Sequence, residues 1–294
     1  MTEKMLRFMN MPEEYSSEDS RFLVVPIPYE GRVTWMRGSS GGPSAILRAS
    51  YNLEYYDEQF KAEPFLDGIR TLPYIAPGKV GEESAVRFIE QKVSGLNLRG
   101  KFPVFLGGDH SVTIGVVRAL EKTYSDFGFL VLDAHSDLRE SWNGSRFNHA
   151  CTTRRVMEKH PCLIVGLRSQ DSDEAELLNG NVRAIRKYEF SKRLLKKQLD
   201  WLPARIYVSV DVDVFDPSFM RGTGTPEPGG FFWDEVIDIF KEVFRKDVIA
   251  SDIVEFAPVG SLPDRNAEAF SMAKLAHKMF AMKSTIGKFE GKKF

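Results

Sequence analysis

The chain has 294 residues, 43% of them hydrophobic and 28% charged, which is enough apolar material to bury one large core without help from disulfides. Its 40 Lys and Arg against 41 Asp and Glu leave a formal net charge of −1, with no basic footprint for nucleic acid or an anionic membrane surface. The two cysteines, Cys151 and Cys162, cannot build a disulfide framework and read as reduced, partly buried thiols.

Taken in chain order, residues 1–20 are polar and lack the apolar core of a signal peptide, so they read as a surface arm, used in subunit packing or simply loose. Short β-branched and aromatic runs follow at 22–28, 102–107, 127–133, 162–167, 204–213 and 248–256, and read as buried parallel strands. Amphipathic stretches at 82–94, 111–122, 173–179 and 233–245 lie between them and read as helices. The tail 283–294 is again polar and reads as a second arm. No linker, composition shift or repeat interrupts the alternation, which predicts one doubly wound α/β domain over residues 1–294. No apolar run approaches the ~20 residues of a membrane span, so the expected location is the cytoplasm.

Four of the apolar runs end in residues that a core would not choose. FPVFLG runs into Gly107-Gly108-Asp109-His110, and FGFLVL into Asp133-Ala134-His135-Ser136-Asp137. RIYVSV runs into Asp211-Val212-Asp213, and VIASDIV into Glu255. In open α/β sheets the ligand crevice lies outside the carboxyl ends of the strands, so these four ends are expected to converge there. Extended chain points residues i and i+2 the same way, so Asp133, His135 and Asp137 share one face, as do Asp211 and Asp213. Carboxylates grouped like this repel one another unless cations neutralise them. The four aspartates balance two divalent ions, with His110 and His135 as neutral nitrogen donors. A set rich in carboxylate oxygen and free of thiolate suits Mn²⁺ better than structural Zn²⁺. His149 also falls near this crevice, which leaves only His160 and His277 for ordinary surface roles. Asp109 is expected to orient His110 or cap the following helix, Asp216 to form a turn before Pro217, and Gly107 and Gly108 to allow close backbone approach.

The motifs GGDHS (107–111), DAHSD (133–137) and SVDVDVFDP (209–217) resemble the three metal motifs of the ureohydrolase family, which includes arginases and agmatinases. VVPIPYEGRVTW, GGPSAILRAS, NHACTTRR, GTGTPEPGG and DIVEFAP resemble family segments in the same order, so the likeness covers nearly the whole chain. The NHACTTRR and GTGTPEPGG segments are more similar to microbial agmatinases than to arginases. The resemblance implies a three-layer α/β/α sandwich around a mainly parallel sheet of about eight strands, assembled as a trimer or hexamer. It also implies one manganese on His110, Asp133, Asp137 and Asp211, and a second on Asp133, His135, Asp211 and Asp213, with Asp133 and Asp211 bridging.

Two such cations, roughly 3.5 Å apart, can share a water and lower its pKa enough to supply hydroxide near neutral pH. The expected reaction is attack of that hydroxide on a guanidinium carbon, with Asp213 or Asp137 handling its proton. His149 would shuttle a proton to the departing amine, and Glu255 would pair with the planar guanidinium and orient it. Resemblance favours agmatine as substrate, giving putrescine and urea. Arginine and guanidinobutyrate are the alternatives, since Arg139 and Arg146, in a stretch that matches no family substrate loop, could pair with a substrate carboxylate. A one-metal zinc deacylase and a non-catalytic metal-binding regulatory protein are the rival classes; the full ligand set together with His149 and Glu255 speaks against both.

Overall fold

Apolar runs and turn residues organise the chain around one sheet in a computed structural model that describes residues 5–260 and 266–285. In chain order come β1 (Phe22–Ile27), α1 (Gly42–Ala49), β2 (Ile69–Thr71), α2 (Glu82–Ser94), β3 (Phe102–Gly107), α3 (Val112–Leu120), β4 (Gly128–Leu132) and α4 (Thr152–Val156). There follow β5 (Cys162–Leu167), α5 (Ser172–Ala175), β6 (Val182–Arg186), α6 (Lys192–Trp201), β7 (Arg205–Asp211), α7 (Trp233–Val243), β8 (Asp247–Val254) and α8 (Ala267–Thr285). The eight strands form one sheet in the order β2-β1-β3-β8-β7-β4-β5-β6, and every neighbouring pair is parallel.

Alternation along each strand divides the core between the two faces. Val104 and Leu106 of β3 face a cluster with Ile46, Leu199, Phe240 and Phe280, drawn from α1, α6, α7 and α8. Phe105 faces the opposite cluster, with Ile89 of α2, Val116 of α3 and Val156 of α4. The result is the expected α/β/α sandwich, its sheet covered on both sides as an all-parallel sheet must be.

The six long runs all form strands, trimmed by one or two residues at several ends. The outer strands β2 and β6 escaped the sequence reading because they are short and alternate with arginine, as in Val182-Arg183-Ala184-Ile185-Arg186. Helices α1, α6 and α8 were also missed, and the 173–179 stretch is helical only over Ser172–Ala175. The arm over residues 1–20 needs correction: Phe8, Met9 and Met11 are buried, and Phe8 packs edge-on against Phe280 at 5.8 Å. Residues 1–4 and 286–294 of the two arms lie outside the described residues. His160 and His277 are buried too; His160 stacks on Phe127 with ring centroids 4.1 Å apart. Both cysteines are free and buried, and no helix among the described residues is long and apolar enough to cross a membrane.

Candidate active site and metal centre

The four strands that end in polar motifs, β3, β8, β7 and β4, are the four central strands of the sheet. Their register aligns the motifs: Leu132 lies beside Val210 and Asp211 beside Val254, so Asp133, Asp211 and Glu255 stand nearly abreast. Gly107 and Gly108 permit the turn out of β3. A Cβ on Gly108 would lie 1.9 Å from the Tyr29 carbonyl oxygen, and one on Gly107 2.6 Å from Val112, so both positions need the close approach that only glycine allows.

Three aspartates each commit one oxygen to the backbone and leave the other for the cluster. The Oδ1 atoms of Asp133, Asp211 and Asp213 accept from the backbone N–H groups of His135 (2.6 Å), Asp213 (2.9 Å) and Ala134 (3.0 Å). On the other side, His110 Nδ1 lies 3.3 Å from Asp133 Oδ2, 3.1 Å from Asp137 Oδ2 and 3.2 Å from Asp211 Oδ2. Yet His110 Nδ1 and Asp133 Oδ2 are buried without a hydrogen-bond partner. One imidazole nitrogen with three carboxylate oxygens around it and no hydrogen bond of its own is a donor set suited to a divalent cation, and the ligand atoms of His110, Asp133 and Asp137 lie within 4.8 Å of one another. Asp133, His135 and Asp213 offer a second such group, with ligand atoms within 4.8 Å of one another. The residues therefore fit two divalent ions that share Asp133.

Charge tells the same story. Burial, then repulsion from Asp213 and Asp137, pushes the Asp133 carboxyl up to about 7. Burial and the neighbouring Asp213 and Asp133 hold Asp211 well above the usual carboxylate range. Burial opposes a charged His135, but Asp213 outweighs it and lifts the ring to about 11. Protein groups alone leave this cluster short of positive charge.

Beside the cluster, Glu255 Oε1 accepts from the His110 backbone N–H at 2.7 Å and lies 3.1 Å from His149 Nδ1. Its other oxygen has no hydrogen bond among the described residues. Thr34 Oγ1 lies 2.9 Å from His149 Nε2, so the ring is held at both nitrogens. Burial disfavours the charged ring, but the Glu255 carboxylate overcomes this and raises His149 to about 9. Asp137 and Glu255 both sit at positive φ, 51° and 62°, in the left-handed region that non-glycine residues rarely occupy. Strain of that kind persists where surrounding contacts over-determine the backbone, and it concentrates at functional sites.

All eight candidate residues, His110, Asp133, His135, Asp137, His149, Asp211, Asp213 and Glu255, are thus gathered at one place, beside a cleft of about 390 Å³. Trp35, Trp142, Asp171 and Glu227 also line it. Arg139 also lines the cleft, but its guanidinium is 2.6 Å from Asp171 and lies over the Trp142 ring at 4.2 Å. Arg146 pairs with Glu140 and Glu158 and is not part of the cleft lining.

A model of the arginase family matches residues 20–281. The chain belongs to the arginase family. It is 36% identical to an N(1)-aminopropylagmatine ureohydrolase from Synechocystis sp., over 93% of this chain and 92% of that one. It is 33% identical to an agmatinase from Pyrococcus horikoshii, over 90% and 93% of the two chains. The solved agmatine ureohydrolase of Thermoplasma volcanium superposes with a TM-score of 0.84 at 28% identity, covering 98% of each chain. Like these relatives, this arginase-family protein is a ureohydrolase, a hydrolase of amidino C–N bonds.

Several residues around the arginase-family site escaped the sequence reading. Ser209 Oγ lies 3.0 Å from His110 Nε2 and donates to Asp252 at 2.5 Å, and Thr113 and Tyr207 donate to the same buried carboxylate at 2.6 Å each. The available signal was a charged residue inside the otherwise apolar run VIASDIV. Glu174 accepts from Ser136 Oγ at 2.7 Å and from the Leu138 N–H at 3.0 Å, steadying the second motif. Asp109 caps the Ser111 N–H at 3.0 Å and accepts from the Gly31 N–H at 2.6 Å; it does not touch the His110 ring. Asp216 is the turn-former expected, accepting from the N–H groups of Ser218, Gly229 and Gly230, and the Ser218 bonds help hold it at about 2.

Proposed function

We propose that this protein is a binuclear manganese enzyme that hydrolyses a guanidine bearing a cationic alkyl chain and releases urea. The observation that carries this reading is the unpartnered His110 Nδ1 with three carboxylate oxygens 3.1–3.3 Å away. His110, Asp133, Asp137 and Asp211 would hold one cation, and Asp133, His135, Asp211 and Asp213 the other. Two divalent ions in such a site supply Lewis acidity and a water acidified enough to act as nucleophile near neutral pH.

The remaining chemistry belongs to the chain itself. Glu255, whose Oε1 is already engaged, would present Oε2 to the guanidinium and fix the position of its carbon. Asp137 or Asp213 would take the proton lost by the attacking water. As the C–N bond breaks, the leaving nitrogen needs a proton. His149, charged at neutral pH because Glu255 lifts it to about 9, would donate one from Nε2. The balance is guanidinium plus water giving urea plus an alkylammonium.

Agmatine, giving putrescine and urea, is the simplest substrate of this class. Support for a cationic over a carboxylate-bearing substrate comes from Arg139 and Arg146, both of which are occupied by protein carboxylates. N(1)-aminopropylagmatine is the second reading, supported by relatives so named at 33% to 37% identity, against 32% and 33% for those named agmatinase. We further infer one domain, supported by the single sheet that gathers all eight strands. A cytoplasmic location is in keeping with the two free thiols. A homo-oligomer rests on the family resemblance.

The test is to strip and reload the protein with Mn²⁺ and measure urea from agmatine, N(1)-aminopropylagmatine, arginine and guanidinobutyrate in parallel. Urea from either cationic amine above the carboxylate-bearing pair is the expected result. Preference for arginine or guanidinobutyrate would overturn the substrate class, and no urea from any of the four would overturn the reaction.

A further inference from the structure

Arg168 follows β5, half-buried behind the site, and is engaged almost entirely with backbone. Its Nη2 donates to the carbonyl oxygens of Asp213 at 2.6 Å, Glu227 at 2.8 Å and Phe215 at 3.3 Å. Nε reaches the Pro228 carbonyl at 3.1 Å, and Nη1 the carbonyls of Gly166 at 3.3 Å and Val214 at 3.5 Å. Its own N–H donates to the Ala134 carbonyl at 2.9 Å, within the second metal motif. No carboxylate among the described residues forms an ion pair with it. A guanidinium collecting six carbonyl oxygens from three segments is doing what only a planar fork of five N–H donors can do.

We propose that Arg168 is a positioning residue that clamps the Asp213–Phe215 segment, and with it the Asp213 carboxylate, to the Glu227–Pro228 rim of the cleft. The proposal rests on the binuclear reading above. Asp213 is held from two sides: its carbonyl by Arg168, and its Oδ1 by the Ala134 N–H at 3.0 Å. That fixes Oδ2, 2.9 Å from His135 Nδ1, in the group formed by Asp133, His135 and Asp213. Arg168 forms no hydrogen bond or ion pair with His110 or Asp137, the two residues that belong to the other group alone, while Asp133 is common to both. Its loss should therefore weaken one cation site and spare the other. The rim does not depend on Arg168 alone, because Asp216 ties the same segments together through the Gly229 and Gly230 N–H groups at 2.8 and 3.2 Å. Variants are therefore expected to fold.

The experiment is a Mn²⁺ titration of the metal-stripped full chain by calorimetry, with circular dichroism and thermal unfolding run on the same samples. It compares wild type, Arg168→Met, Arg168→Lys and the remote control Arg146→Met. The expected result is two ions on wild type and on the control, and in Arg168→Met one unchanged site and one weakened about 10- to 100-fold, the usual loss for an outer-shell partner of a metal ligand. Arg168→Lys, with three donors instead of five, should fall between. Should Arg168→Met fail to fold, Arg168→Lys becomes the deciding variant. A residue that served stability alone would lower the unfolding temperature and leave both affinities intact, and that outcome would overturn the clamp. Fewer than two ions on wild type would instead overturn the binuclear reading, and the clamp with it.

Discussion

Two clusters of buried charge, each pairing aspartate with histidine but opposite in balance, show what distinguishes a structural ion pair from a candidate reactive centre. Asp57 is wholly buried, and Lys278 of α8 reaches its oxygens at 3.0 and 3.3 Å, while the Phe60 N–H donates at 3.0 Å. Burial pushes its carboxyl up, but His277, the Phe60 amide and Lys278 together hold it far below the ordinary carboxylate range. At the carboxyl ends of β4 and β7, burial pushes the same way, Asp213 and Asp137 add to it and His110 offsets only part, so Asp133 rises to about 7. One cluster is closed by its own cations. The other keeps a raised carboxyl and an unpartnered ring nitrogen, which is the condition under which cations would bind.

The first way to break this comparison is to take a shared ligand from the incomplete cluster. Asp133→Asn should lose at least about 100-fold in urea release, exceeding the usual outer-shell loss, with bound manganese falling below two per chain by elemental analysis. Lys278→Met tests the closed cluster. Stranding the Asp57 charge should cost about 3 kcal/mol in denaturant unfolding, and manganese affinity should not move. If the metal affinity fell as well, the two clusters would not be independent.

His149 sharpens the boundary between them, since it is a cation that the incomplete cluster's neighbour Glu255 holds in place. His149→Asn should lower kcat about 100-fold without changing metal content, as expected for loss of a positioned general acid. Its folded pKa of about 9 lies above the ordinary 6.5, so the pair contributes stability that is complete below the lower value and is lost as pH rises through the higher. A plot of unfolding free energy against pH should flatten over that interval in the variant. The smallest effect is expected at the layer beneath His110. Asp252→Asn should weaken one manganese site about 10-fold in a metal titration, because Ser209 loses the acceptor that orients it toward His110 Nε2.

Much of the site was legible in the sequence because its chemistry is carried by local pattern. Apolar runs end abruptly in Asp, His and Glu, and the i, i+2 spacing of Asp133, His135 and Asp137 is a property of extended chain that needs no tertiary partner. Asp252, Ser209 and Arg168 were not legible for the opposite reason. Each looks like an ordinary residue in or beside a strand, and each acquires its role only through an atom tens of residues away: Tyr207 and Thr113 for Asp252, His110 for Ser209, the Asp213 and Glu227 carbonyls for Arg168.

The sequence by itself determined the α/β class, the six long strands and the residues able to bind metal, since periodicity and side-chain chemistry are set within a few residues of chain. Tertiary structure alone decided that β3, β8, β7 and β4 are neighbours, and that the sheet extends to the half-polar strands β2 and β6. Strand order follows from packing helices on both faces of one sheet, a long-range constraint that leaves no local mark. The same packing buries Asp133 and Asp211 beside each other and so creates the charge deficit that two cations would fill.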